Sequence, residues 1–328
     1  MWIVCALLSA LFAGATTLLA KAGVRDADSD IVTAVRTAVI LAVTAVVVLC
    51  EGLLSELKTL TLRDWALLIG SGVCTGASWL CCFRALKLGP VGKVMAVDKT
   101  STLLTMLIGI LFFADPVNGW KLAGMALILA GSLAMVGPLG SRGRAPALAG
   151  GTALPKPRTG QEELSGSAAA EGERGRDFGE SVSERENKGR GTWLFYAVLS
   201  AVFASLQSVL AKLGMSAISS HTATLVRTAV VLLFAWGIVA ARGKLPEVRG
   251  LGGRTLAFAL LSGVTAGLSW LLYYMAVQTG ILSAVAAIDK LSLLVSVGLA
   301  ALIFREKLSV SAAIGLLLLV GGTLLFLV

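Results

Sequence analysis

The chain has 328 residues, 56% of them hydrophobic and 14% charged, with a formal net charge of +9. No water-soluble domain needs that much apolar surface for one core, so an ordinary globular enzyme or binding domain is excluded and a lipid environment is implied. The single histidine and five cysteines leave little material for a metal or disulfide framework.

A bilayer core of about 30 Å takes roughly 20 apolar residues of helix to cross. Runs of that length lie at 2–21, 31–50, 65–83, 91–113 and 119–138, and again at 193–212, 222–241, 255–274, 282–304 and 309–328. They are rich in Gly and Ala and lack the alternating pattern of a β-barrel, which predicts closely packed helices. The first run has no basic n-region and is too long for a signal peptide. Moreover, WIVCALLSALFAGATTLLAKAG at 2–23 is matched by WLFYAVLSAVFASLQSVLAKLG at 193–214, where no signal peptide can lie.

The match extends along the chain at one offset: Trp2 and Trp193, Arg36 and Arg227, Trp79 and Trp270, and Asp98 and Asp289 are each 191 apart. SGVCTGASWL at 71–80 and SGVTAGLSWL at 262–271 agree at seven of ten positions. Fixed-period self-similarity of this kind marks a tandem duplication. The division is a first repeat over 1–138, a linker over 139–191 and a second repeat over 192–328. The linker carries nine Lys/Arg and eight Asp/Glu, shows no apolar periodicity and reads as disordered.

If the ten helices alternate, the loops on the linker's side hold Lys21, Arg25, Arg84, Lys87, Lys93, Arg242, Lys244, Arg249, Arg254, Arg305 and Lys307. The other side holds only Lys58, Arg63, Lys121 and Lys212. Cytoplasmic loops collect Lys and Arg, which predicts a cytoplasmic linker and external termini. Five helices per copy is an odd number, so the copies cross in opposite senses. The predicted fold is an all-α membrane protein of ten transmembrane helices in two inverted five-helix repeats, a design whose sites lie at the repeat interface.

Each half resembles the EamA domain of the drug/metabolite transporter superfamily, most closely its small five-span bacterial and archaeal members, here as two fused units. In the second half the resemblance rests on SAVFASLQSVLAKLG, LVRTAVV, SGVTAGLSWLLYYMAVQTG, VAAIDKLSLLVSV and FREKLS. The first half diverges: Cys81, Cys82, Phe83 and Arg84 stand at the positions of Leu272, Tyr273, Tyr274 and Met275. The resemblance implies a multi-pass carrier in a bacterial or archaeal cell membrane, working by alternating access on a small metabolite or drug-like solute.

Charges inside the apolar runs are the candidate site. Arg36 and Asp98 each fall roughly 9–12 Å below the linker-side surface, at 1.5 Å of rise per residue. Lys21 and Trp79 lie toward the same end, while Lys212, Arg227, Trp270, Asp289 and Lys290 form the equivalent set near the opposite face. Sequence neighbours diverge by about 100° on a helix, so Asp98 is expected to pair with Arg36 rather than Lys99, and Asp289 with Arg227. A plain reading makes these packing salt bridges, with Lys99 and Lys290 snorkelling. The functional reading rests on the cost of an intramembrane charge, roughly 2.5–3.5 kcal/mol, accepted twice. One acid against three bases in each set favours an anionic or zwitterionic solute.

Other features read as structural. Gly72–Gly76 and Gly263–Gly267 have the spacing of close helix packing. His221 is the polar start of a helix, Asp115 and Glu306 are loop residues, and Cys5, Cys50, Cys74, Cys81 and Cys82 pack as small apolar groups. Walker, dinucleotide, HExxH and GxSxG patterns are absent. The expectation is therefore no enzyme, no cofactor, no metal and no nucleic-acid partner, but membrane lipids, a small solute and a coupling ion. A non-transporting receptor or scaffold, or a flippase for a lipid-linked substrate, is the alternative.

Overall fold

The computed structural model describes residues 1–23, 28–88, 91–115, 117–136, 175–304 and 310–327. All the regular structure in these residues is helical, with no strand among them. The helices are α1 (Trp2–Gly23), α2 (Ser29–Cys50), the short α3 (Glu56–Thr59), α4 (Leu62–Leu88), α5 (Val91–Phe112) and α6 (Gly119–Val136). They continue with α7 (Gly175–Gly214), α8 (Ser220–Ala241), α9 (Gly253–Thr279), α10 (Leu282–Asp289), α11 (Leu291–Phe304) and α12 (Val310–Leu327). Eight stretches are long and apolar enough to cross a membrane, α10 and α11 counting as one; Thr100–Phe112 and Gly119–Ala134 are shorter apolar helices.

Two boundaries differ from those the sequence predicts. Helix α7 begins inside the polar stretch 139–191, because extending a stable span adds residues without a new nucleation step. The run 282–304 is divided at Lys290, where the amides of Lys290 and Leu293 reach back three residues instead of four, to Ala287 and Lys290 at 3.2 and 3.1 Å. Such an overwound turn interrupts the α-helical ladder.

The main helix pairings join an early helix to a late one: α1 lies against α9, α4 against α7, α6 against α12 and α2 against α8. The 191-residue offset runs through the contacts themselves. Ser9 Oγ donates to the Ser269 carbonyl (2.9 Å) and Ser269 Oγ returns to that of Ser9 (3.0 Å). Ser78 and Ser200, their counterparts in the other copy, repeat the exchange at 3.1 and 3.0 Å. Steric contacts follow the same rule. A Cβ on Gly72 would stand 2.7 Å from Val230 Cβ, and one on Gly263 would stand 2.6 Å from Val39 Cβ, so both GxxxG motifs are close-packing surfaces. In α6 and α12, Gly124 faces Gly322 and Gly131 faces Gly315, which makes the two helices antiparallel with backbones in contact.

The second helices are stapled at both ends. Gly52 and Gly243 turn the chain after α2 and α8 with φ of 70° and 68°, a conformation that favours glycine. Each C-cap side chain then reaches the second residue of the other helix. Arg242 pairs with Asp30, and Glu51 Oε2 lies 2.6 Å from His221 Nδ1. Helix α2 is thus acidic at both ends and α8 basic at both. Lys244 adds to the first staple through Asp28 and Asp30.

Beside the second staple, Glu56 accepts from the Ser219 amide (3.0 Å), Ser219 Oγ (2.7 Å) and Thr222 Oγ1 (2.6 Å), capping α8 from another segment. Burial opposes its ionisation, but these donors and nearby His221 outweigh that and hold its pKa below the ordinary value. A depressed carboxylate pKa contributes stability that is present above the unfolded value and lost as pH falls through the folded one. The melting temperature of the purified protein should therefore drop below about pH 4.5, with a shallower acid limb in Glu56→Gln. Superimposable acid limbs would remove Glu56 from the account.

Candidate functional site

Among the described residues Arg227 is the most buried large charged side chain, 1% exposed in the first half of α8. Its Nε donates to Ser71 Oγ (3.3 Å), and its Nη2 donates to Thr75 Oγ1 (3.0 Å) and Gln207 Oε1 (2.9 Å). Ser71 and Thr75 are one turn apart on α4, and Gln207 comes from α7. The three acceptors are themselves linked, since Thr75 Oγ1 donates to Gln207 Oε1 (2.6 Å) and Ser71 Oγ to the Gln207 carbonyl (2.7 Å). Both Tyr274 and Trp270 face the guanidinium, with ring centroids 4.2 and 5.5 Å from its carbon. Nη1 is buried and has no hydrogen-bond partner.

This arrangement is a desolvated cation with neutral acceptors on two nitrogens, aromatic faces beside it and one nitrogen free. Chemically it is suited to receive an anionic group, because an uncompensated charge in a low-dielectric interior costs several kcal/mol. The predicted partner does not supply one. Asp289 Oδ2 instead lies 3.7 Å from Lys290 Nζ, at the break between α10 and α11. The expectation that these neighbours diverge fails because the chain leaves the α-helix there. Their side chains are 35% and 18% exposed, so the pair is accessible. Tyr273 lines the same region, its hydroxyl 3.4 Å from Ser208 Oγ and its ring edge-on to Tyr274 at 5.0 Å.

The remaining predicted residues are dispersed. Lys212 donates to the Gly280 carbonyl at the end of α9 (2.8 Å) and lies 4.9 Å over the Phe113 ring, so it caps a helix and stays apart from Arg227. Trp79 packs with Ile31, Ala34, Ala235 and Val239. Arg36 has a buried Nε without a partner, and the expected pair with half-buried Asp98 does not form. The side chains of Lys21 and Lys99, and all of Glu306, lie outside the described residues. Sequence reasoning missed Ser71, Thr75 and Gln207; the available signal was a polar pair at i, i+4 in one span and an amide in another. Asp115 lies in the loop between α5 and α6, as expected, but is buried there and accepts from the amide and hydroxyl of Ser283 (3.0 and 2.6 Å) at the start of α10.

Against known proteins, a profile described as the EamA-like transporter family matches residues 1–137 and 191–328. The chain belongs to the EamA-like transporter family. A relative from Sinorhizobium sp, described as an uncharacterized transporter in cobO 3'region, is 43% identical over 132 residues, which are 40% of this chain and 94% of the relative. A solved crystal structure superposes with a TM-score of 0.69 at 20% identity, covering 98% of this chain and 94% of its own; at that identity it speaks for the fold. As an EamA-like transporter the protein is a multi-pass membrane protein, and its setting is membrane lipid with a small-molecule substrate. The clustered charge of this EamA-like transporter accordingly lies in the helices, at Arg227 and at the accessible Asp289–Lys290 break.

Proposed function

We propose that this EamA-like transporter is a secondary-active carrier in the cell membrane, moving a small anionic or zwitterionic metabolite or drug-like solute. It works by alternating access between two inverted five-helix repeats, ten spanning helices in all, with energy drawn from a gradient of the solute or of a coupling ion. The observation that carries the reading is Arg227, a buried cation with its Nη1 unpaired. The interruption of the α10–α11 span beside it is a second support, since carriers place solute sites at broken helices. The two staples joining α2 and α8 at opposite ends are suited to break alternately as the carrier turns over. Asp98, Lys99, Lys21, Trp79, Asp289, Lys290, Lys212 and Trp270 remain the wider set around the path.

The test is a comparison of metabolite pools and growth inhibition by toxic solutes in cells with and without the gene, alongside Arg227→Met. A small group of anionic or zwitterionic solutes should change with the gene and revert in the variant. Profiles identical in all three strains would overturn the carrier reading.

Orientation has its own test. A single cysteine at Ser165, in a background without the five native cysteines, should resist an impermeant maleimide in intact cells and react after permeabilisation, because residues 139–191 face the cytoplasm. Labelling of intact cells would invert the topology.

A further inference from the structure

Arg227 and Arg36 are related by the offset of 191, and so are the positions around them: Ser71 with Ser262, Thr75 with Ala266, Gln207 with Thr16, Tyr274 with Phe83. The chemistry is not repeated. Where Thr75 offers a hydroxyl to Arg227, Ala266 has none. Where Gln207 offers an amide oxygen, Thr16 turns its hydroxyl to the Phe12 carbonyl (2.8 Å) and to Thr265 Oγ1 (2.9 Å). Ser262 donates to the Ala259 carbonyl of its own helix (2.9 Å), whereas Ser71 accepts from Arg227. Phe83 lies under Arg242 at 5.7 Å, whereas Tyr274 lies under Arg227.

A guanidinium is a rigid planar fork. With Nε and Nη2 held by three acceptors from two helices, the direction of Nη1 is fixed before anything binds, and the ordering cost on binding is small. Arg36 has no such frame. The charges nearest Arg227 limit the ligand as well. Asp289 and Lys290 neutralise each other, and every acceptor on the fork is neutral, which leaves one positive charge. A singly charged group balances it, and a doubly charged phosphate would not.

Resting on the carrier reading above, we propose that the solute's anionic group is a carboxylate received at one of the two repeat-related arginine sites alone, at Arg227 Nη1. Ser71, Thr75 and Gln207 are its positioning residues, and Arg36 takes no part in binding. The protein then holds one carboxylate per chain despite its duplicated architecture.

The probes are sodium acetate and sodium benzoate, each paired with its neutral amide and titrated calorimetrically against the full chain in lipid nanodiscs at constant ionic strength. At least one carboxylate should bind tenfold or more tightly than its amide, at one per chain. Thr75→Ala with Gln207→Thr, which installs the residues at the equivalent positions around Arg36, should weaken carboxylate binding at least tenfold; Thr75→Ser, which keeps the hydroxyl, should retain it. Arg36→Met should stay within twofold of wild type. Two sites per chain, no preference for carboxylate over amide, or equal losses in Arg36→Met and the double variant would each overturn the inference. Should the double variant fail to fold, wild type and Arg36→Met still decide it through stoichiometry and preference. Gene-dependent solute changes in cells together with indifference to carboxylates would leave the carrier standing and remove only this site.

Discussion

Arg227→Met should reduce solute flux at least a hundredfold and membrane abundance by a smaller factor. The two readouts separate because the residue has two kinds of neighbour. Losing the donor leaves Ser71, Thr75 and Gln207 with fewer partners, but those three also bond to one another, so the cost is about 1–3 kcal/mol for a partly satisfied group. The solute loses the buried cation proposed to receive it. Arg227→Lys should recover some abundance and little flux, because an ammonium cannot meet three acceptors in one plane. Exchange of charge, Asp289→Arg with Arg227→Asp, should not restore abundance: Asp289 is paired with Lys290, and a carboxylate in place of Arg227 would meet the Gln207 side-chain oxygen and two hydroxyls already donating to Gln207. Restoration of both quantities by the exchange would mean that Arg227 and Asp289 are a packing pair after all.

A comparably large effect is expected at Gly131. A Cβ there would stand 2.6 Å from the Gly315 carbonyl oxygen and 2.8 Å from the Leu319 amide nitrogen, both backbone atoms that cannot rotate away. Gly131→Leu must push α6 and α12 apart along their antiparallel contact, and overpacking of this kind costs about 1–3 kcal/mol or more. Monodisperse protein on fluorescence-detected size exclusion should fall below a tenth of wild type. Gly321 supplies the control. It adjoins Gly322 in α12 but has open space around a new Cβ, so Gly321→Leu should behave as wild type. Equal tolerance at the two positions would show that the fifth helices do not meet as described.

Much of the architecture was legible because duplication writes itself into sequence. The offset that pairs Trp2 with Trp193 also relates Ser9 to Ser200 and Ser78 to Ser269, and the structure returns those four residues as two reciprocal hydrogen-bonded pairs. The glycines of α4 and α9 were legible for the same reason. The site was less so. Arg227 stood out as a charge in an apolar run, but its partners are hydroxyls and an amide, residue types common in spanning helices for many reasons. The pairing of Asp289 with Lys290 depends on a break that neither glycine nor proline announces. Asp115 is a loop residue, as its position suggested, but its acceptor role toward Ser283, 168 positions away, was not legible. The staples escaped notice because Arg242 and Lys244 register in sequence only as topology charges, and their acids lie at the start of a distant helix.

The early-to-late pairing of helices has a consequence for synthesis. While α1 through α6 are being made, the helices they will receive, α7, α8, α9 and α12, are still untranslated. Ser9 and Ser78 have no reciprocal serine, and the glycine faces of α4 and α6 are uncovered. At ribosomal rates of 5–20 residues per second, the 191 residues that separate equivalent positions take about 10–40 s to arrive. For that interval the nascent protein is an incomplete assembly exposed to membrane chaperones and proteases. Its yield in a cell is therefore governed by how fast the ribosome delivers the second half, and a slow codon run between α6 and α8 would lower abundance without altering a single residue.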